Sequence, residues 1–89
     1  MLTVFFLTYN VNAQVGIGTT NPDSSAILDI SSKNSGVLFP RLTENEKQNI
    51  SDPAHGLLIY QTDGIKGFYF WDNTKWKLIG SQIIETFSL

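Results

Sequence analysis

His55 is the single histidine of a chain that contains no cysteine. A thiol nucleophile is therefore closed to it, and any base–nucleophile pair would have to be built around one imidazole. His55 stands between Pro53-Ala54 and Gly56, a loop setting with no Ser-His-Asp spacing around it, so a solvated loop histidine is the simpler reading. Glu44 and Glu46 resemble a carboxylate pair for acid–base work. At i and i+2, however, they diverge on a helix, and a place in the first turn beside the positive end of the peptide dipoles accounts for both. Asp23, Asp29, Asp52, Asp63 and Asp72 fall mostly at turns, where short carboxylates bond nearby backbone amides. None belongs to the dense alternation of oxygen ligands that a calcium loop needs, and a thiolate–imidazole zinc site lacks its ligands. Gly16-Ile17-Gly18 invites a dinucleotide reading that fails at Asn21, where the third glycine should stand, and again at Pro22. These residues predict no catalytic group, no metal and no cofactor; the expectation is a protein that is not an enzyme.

The elements that must carry these residues come from a short chain. With 89 residues, there is room for one small domain plus any segment later removed, and a domain of this size buries too little surface to be comfortable alone. Disulfides and zinc being closed, association with other copies is the remaining support. Six basic and eight acidic residues give a net charge of −2. Lys75 and Lys77 around Trp76 are the best basic cluster, which is too little to displace phosphate counterions, so nucleic acid is not an expected partner.

Leu2-Thr-Val-Phe-Phe-Leu7 is an apolar run far short of the roughly 20 residues of a membrane-spanning helix. Followed by Val11-Asn12-Ala13, it reads as a secretory signal remnant at 1–13, cleaved before Gln14. The basic n-region is missing, so an upstream start or a truncation is expected. The competing reading makes Leu2 to Tyr9 a first strand. Beyond it, 14–80 is expected to form a small antiparallel β-rich module. Its N-terminal part is extended, with a turn at Asn21-Pro22-Asp23 and strand periodicity from Ser25 to Ser31. A second apolar run, Val37-Leu38-Phe39, stops at Pro40 as an edge strand or strand end. Thr43-Glu44-Asn45-Glu46 is a capping box that opens a brief helix near 43–51, ended by Asp52-Pro53 and pinned by Leu42 and Ile50. Leu57–Thr62, Phe68–Trp71 and Trp76–Ile79, separated by turns at Asp63-Gly64 and Asp72-Asn73-Thr74, predict a three-stranded antiparallel meander. The tail 81–89 reads as the start of a longer region. The fold class expected is mainly β.

Three stretches, in order, resemble a pattern found in exported, tail-fibre-like surface proteins of Gram-negative bacteria. They are Val15-Gly-Ile-Gly-Thr-Thr-Asn-Pro22 with Ser25-Ala-Ile-Leu-Asp-Ile30; Gly36-Val-Leu-Phe-Pro-Arg-Leu-Thr43; and Pro53-Ala-His-Gly-Leu-Leu-Ile-Tyr-Gln-Thr-Asp63 with Phe70-Trp-Asp-Asn-Thr-Lys-Trp76. Similar segments occur in fibre proteins of bacterial viruses. The resemblance implies export, a place at the cell surface or outer membrane, and a fibre-like trimer, more firmly than it implies any ligand.

Two functions compete for the aromatic hairpin. Phe68, Tyr69, Phe70, Trp71 and Trp76 offer more aromatic surface than one face of a small sheet can hide. Tyr69, Trp71 and Trp76 are the candidate contacts, either for subunit packing in a structural or adhesin-like assembly or for stacking on a glycan. The thin core favours a homo-oligomer, with a surface glycan or another envelope protein as the alternative partner.

Overall fold

The computed structural model describes residues 13–80. The expected signal remnant and its competing strand, apart from Ala13, and the tail from Ser81 lie outside the described residues. The chain divides into two units, one ending at Gly36 and the other beginning at Val37.

In the first unit, β1 (Val15–Ile17) and β2 (Leu28–Ile30) form a two-stranded sheet. The pairing is parallel, with Val15 opposite Leu28, Gly16 opposite Asp29 and Ile17 opposite Ile30. A parallel pair ordinarily needs a crossover of a dozen or more residues, commonly a helix. Here the connection 18–27 manages with side-chain hydrogen bonds. The Asp23 carboxylate accepts from the Ser25 amide at 2.9 Å and the Ser25 hydroxyl at 2.6 Å, while Asp29 Oδ2 accepts from the Asp23 amide at 2.8 Å. Gln14 Nε2 donates to the carbonyls of Asp23 and Ala26. These turn contacts shorten the strand expected from Ser25 to Ser31, because Ser25 and Ala26 are already committed to the turn at Asp23.

In the second unit, four strands lie in the order β3-β4-β5-β6: Arg41–Leu42, Leu58–Gln61, Gly67–Trp71 and Trp76–Leu78. The last three form the expected antiparallel meander. β3 adds a parallel edge to β4, and helix α1 (Glu44–Gln48) sits in the crossover between them. The body is therefore mainly β, but it is not antiparallel throughout. A parallel pairing depends on contacts distant in sequence, and alternation within a strand does not encode it. Val37-Leu38-Phe39 forms no strand; pairing begins after Pro40, whose carbonyl accepts from the Tyr60 amide at 2.9 Å. Proline has no amide to give, so it stands at the start of the edge strand, where nothing asks for one.

The helix begins as its capping box requires. Thr43 Oγ1 accepts from the Glu46 amide at 3.1 Å, and Glu46 Oε1 accepts from the Thr43 amide at 2.8 Å. It runs inside the expected 43–51 but is shorter, ending at a cap on Asn49 before Asp52 turns into the left-handed region at φ 50°. Leu42 and Ile50 are only half-buried. The side chain driven fully inward is Lys47, with its ammonium 3.9 Å from the centre of the Tyr69 ring and 5.8 Å from that of Trp76. Its methylene stem covers the sheet while the charge rests on aromatic faces.

Candidate functional site

Side chains alternate along a strand, so the register assigns each aromatic of the second unit to a face. Ile59, Gln61, Tyr69, Leu78, Trp71 and Trp76 share the face covered by α1. Arg41, Leu58, Tyr60, Phe68 and Phe70 share the other. Tyr69 is 8% exposed and its hydroxyl donates to the Ile65 carbonyl at 2.6 Å. Burial, and secondarily the Glu44 carboxylate, pushes its pKa up. Trp71 and Trp76 are half-buried and meet edge to face with ring centres 5.4 Å apart. The three aromatics singled out from the sequence thus sit together on the helix side, where Tyr69 is core.

The opposite face holds aromatics that are not among the three candidate contacts. Phe39 meets Phe68 edge to face at 6.0 Å, and Tyr60 meets Phe68 at 5.1 Å. With Val37, Leu38 and Arg41 they line a surface groove of about 160 Å³. The available signal was the period-2 reading of Phe68 to Trp71, which sends Phe68 and Phe70 away from Tyr69.

In the first unit the same parity gives a sharper division. Val15, Ile17, Leu28 and Ile30 share one face and Gly16 and Asp29 the other. A Cβ on Gly16 would stand 2.6 Å from the Thr19 carbonyl oxygen and 2.8 Å from Pro22 Cγ. The connection therefore folds against the Gly16 side. Gly18 holds φ 79°, and a Cβ there would strike the Ser31 carbonyl. All four aliphatic side chains on the uncovered face are exposed, at 50% for Val15, 54% for Ile17, 50% for Leu28 and 41% for Ile30.

The groups with possible acid–base chemistry are scattered. His55 is exposed in a turn closed by the Leu57 amide on the Ala54 carbonyl at 2.9 Å, and Glu44 and Glu46 are exposed on the helix. Among the described residues, no group of three or more His, Cys, Asp or Glu side chains is placed to hold a metal ion. Asp23, Asp29, Asp63 and Asp72 are each engaged by a backbone amide. Asp63 accepts from the Glu44 amide at 2.7 Å. Asp72 accepts from the amides of Lys75 and Thr74 and from the Thr74 hydroxyl, each at 2.8 Å, and lies 3.4 Å from Lys77 Nζ. Those bonds, the Lys75 amide foremost, hold Asp72 far below the ordinary carboxylate range. Asp23 is lowered by the Ser25 hydroxyl and amide.

The arrangement is thus poor in reacting groups and rich in uncovered apolar surface. No curated protein and no solved structure matches the chain. The family model of a phage tail like trimerisation region matches residues 16–87, taking in parts of both units. Apolar faces left bare in a single copy are what a self-associating region must present, and over most of its length this chain belongs to the family of phage tail like trimerisation regions.

Proposed function

We propose that the chain is a non-catalytic structural module of an exported, tail-fibre-like and adhesin-like assembly at the surface of a Gram-negative bacterium, and that its work is to hold three copies of itself together. The observation that carries this reading is the imbalance of cover. Among the described residues only Ile59 and Tyr69 are buried hydrophobic side chains, whereas Val15, Ile17, Ile27, Leu28, Leu38, Ile65 and Ile79 each stand at least half exposed. A single copy leaves most of the available hydrophobic stabilisation unused, and further copies supply it. Size-exclusion chromatography with light scattering on the full chain tests this: three times the single-chain mass is expected, and a monomer at tens of micromolar overturns it.

Export rests on the apolar run before Val11-Asn12-Ala13 and on the resemblance to exported fibre-like proteins. Mass spectrometry of the protein from its host is expected to find Gln14 at the N-terminus; a chain still beginning at Met1 counts against export. Stacking of a glycan on Tyr69, Trp71 and Trp76 has weaker support. Tyr69 is covered, and the Asp72 carboxylate that would orient sugar hydroxyls is filled by its own turn. Retention on a glycan array would revive that reading.

A further inference from the structure

We propose that the aliphatic face of β1 and β2, formed by Val15, Ile17, Leu28 and Ile30, is the surface on which three copies of this chain pack about a common axis, with Asp29 and the connection 18–27 turned outward. The inference rests on the trimer reading above and says which surface performs it.

The two faces of this small sheet are finished differently. On the Gly16 side the chain covers itself: Pro22 and Thr19 lie where a Cβ on Gly16 would have to go, and Asp29 is bonded to the Asp23 amide. On the other side nothing among the described residues of the first unit covers the four aliphatics, each between 41% and 54% exposed. Parallel sheets occur almost only with both faces covered, and a two-stranded sheet is not self-supporting in water. Each strand here is three residues long, so its ladder alone cannot hold it. A covering surface is required.

The chemistry of the face selects the occupant. It carries no charge and no hydrogen-bonding side chain, so a polar ligand or charged partner would lose solvation there without recompense. An aliphatic surface of branched side chains is its own complement. Copies related by closed rotational symmetry can each present it to the axis without like-charge repulsion, whereas the Asp29 face would bring carboxylates together. The matched trimerisation region begins at Gly16, within β1, and spans all of β2, so Ile17, Leu28 and Ile30 of this face lie in the part of the chain that the family assigns to association in threes, with Val15 one residue before it.

The test uses the full chain and two kinds of variant. Ile17→Asp would place three carboxylates at the axis and is expected to raise the half-assembly concentration at least about a hundredfold in light scattering. Lys66→Asp, at an exposed polar position of the second unit, is expected to stay trimeric. Fluorescence of Trp71 and Trp76, both in the second unit, checks that this unit remains folded in each variant. Because the chain has no cysteine, Ile30→Cys supplies a milder probe that leaves the face apolar. A short bis-maleimide is expected to link chains in pairs, leaving one free chain per trimer, while Lys66→Cys stays unlinked. A trimeric wild type whose Ile17→Asp variant also remains trimeric, or whose Ile30→Cys variant does not link, overturns this surface and leaves trimerisation standing. A monomeric wild type overturns both.

Discussion

Gly18 shows how much a single residue decides in this chain. Its φ of 79° is one that side chains rarely adopt, and the Ser31 carbonyl occupies the space a methyl group would need. Gly18→Ala is expected to cost about 2 kcal/mol or more, read as a lowered melting temperature, because backbone strain and a collision with fixed main chain add. Asp72 makes a second single-residue case through pH. Its pKa is depressed in the folded chain, so the stability it contributes is fully present above the unfolded value and is lost as pH falls through the folded one. The melting-temperature gap between wild type and Asp72→Asn should therefore be open at neutral pH and close progressively below about pH 4; a gap independent of pH argues against this role. Much at this scale was readable in the sequence. Asp72-Asn73-Thr74 announces its turn because short polar side chains bond to amides two and three residues on, and Thr43 announces the helix start for the same local reason. Lys47 was not readable. A lysine that follows Glu44 and Glu46 in a short helix looks solvent-facing, and only the approach of Tyr69 and Trp76 draws it in.

Among the elements, α1 is one that could not stand alone. Five residues are far too few for an independent helix, and three contacts hold it: the capping box, the Asp63 carboxylate on the Glu44 amide, and the Lys47 stem on the sheet. Thr43→Ala is expected to destabilise the chain by ~1 kcal/mol in thermal or urea unfolding. Lys47→Ala should cost more, roughly 2 kcal/mol, through lost packing. Lys47→Met, which keeps the stem, should recover most of that loss, and equal losses for the two variants would show that the charge matters more than the stem. Burial lowers the Lys47 pKa, with Glu44 partly opposing, so its ammonium is a cost to folding that eases as the solution approaches the ordinary lysine range. Strand order was the less legible part. The meander could be read because its turns are short and local, whereas β1 with β2 and β3 with β4 pair in parallel across segments whose composition suggests only loops or a helix. Alternation grouped Tyr69 with Trp71, but which face of the hairpin would be covered was not legible, for a related reason. Phe68, Tyr69, Phe70 and Trp71 are all aromatic, and only the register with β4 and β6 shows which of them α1 covers.

At the scale of the whole molecule, stability and assembly should be inseparable. Further copies bind the folded chain and not the unfolded one, so the melting temperature is expected to climb with protein concentration; a value constant over a hundredfold range argues against assembly. Trp76→Ala, which removes a half-buried ring from beneath Lys47 and beside Trp71, should lower stability by about 2 kcal/mol. Gln61 adds a condition of another kind. It is almost wholly buried, yet its Oε1 meets no donor among the described residues, while its Nε2 donates to the Asp63 and Ile65 carbonyls. Aromatic side chains on both faces of β5 make a one-residue slip against β4 cheap in hydrophobic terms, since either setting buries rings. The buried amide, which fits only the turn it now holds, makes that slip expensive. Gln61→Leu should therefore change the mean stability little while splitting the amide spectrum of β4 and β5 into two sets. A trimer built from such a mixture is uniform only when all three chains agree, so the uniform fraction falls as the cube of the correctly registered one, and a minor ambiguity within one strand becomes a large heterogeneity in the fibre.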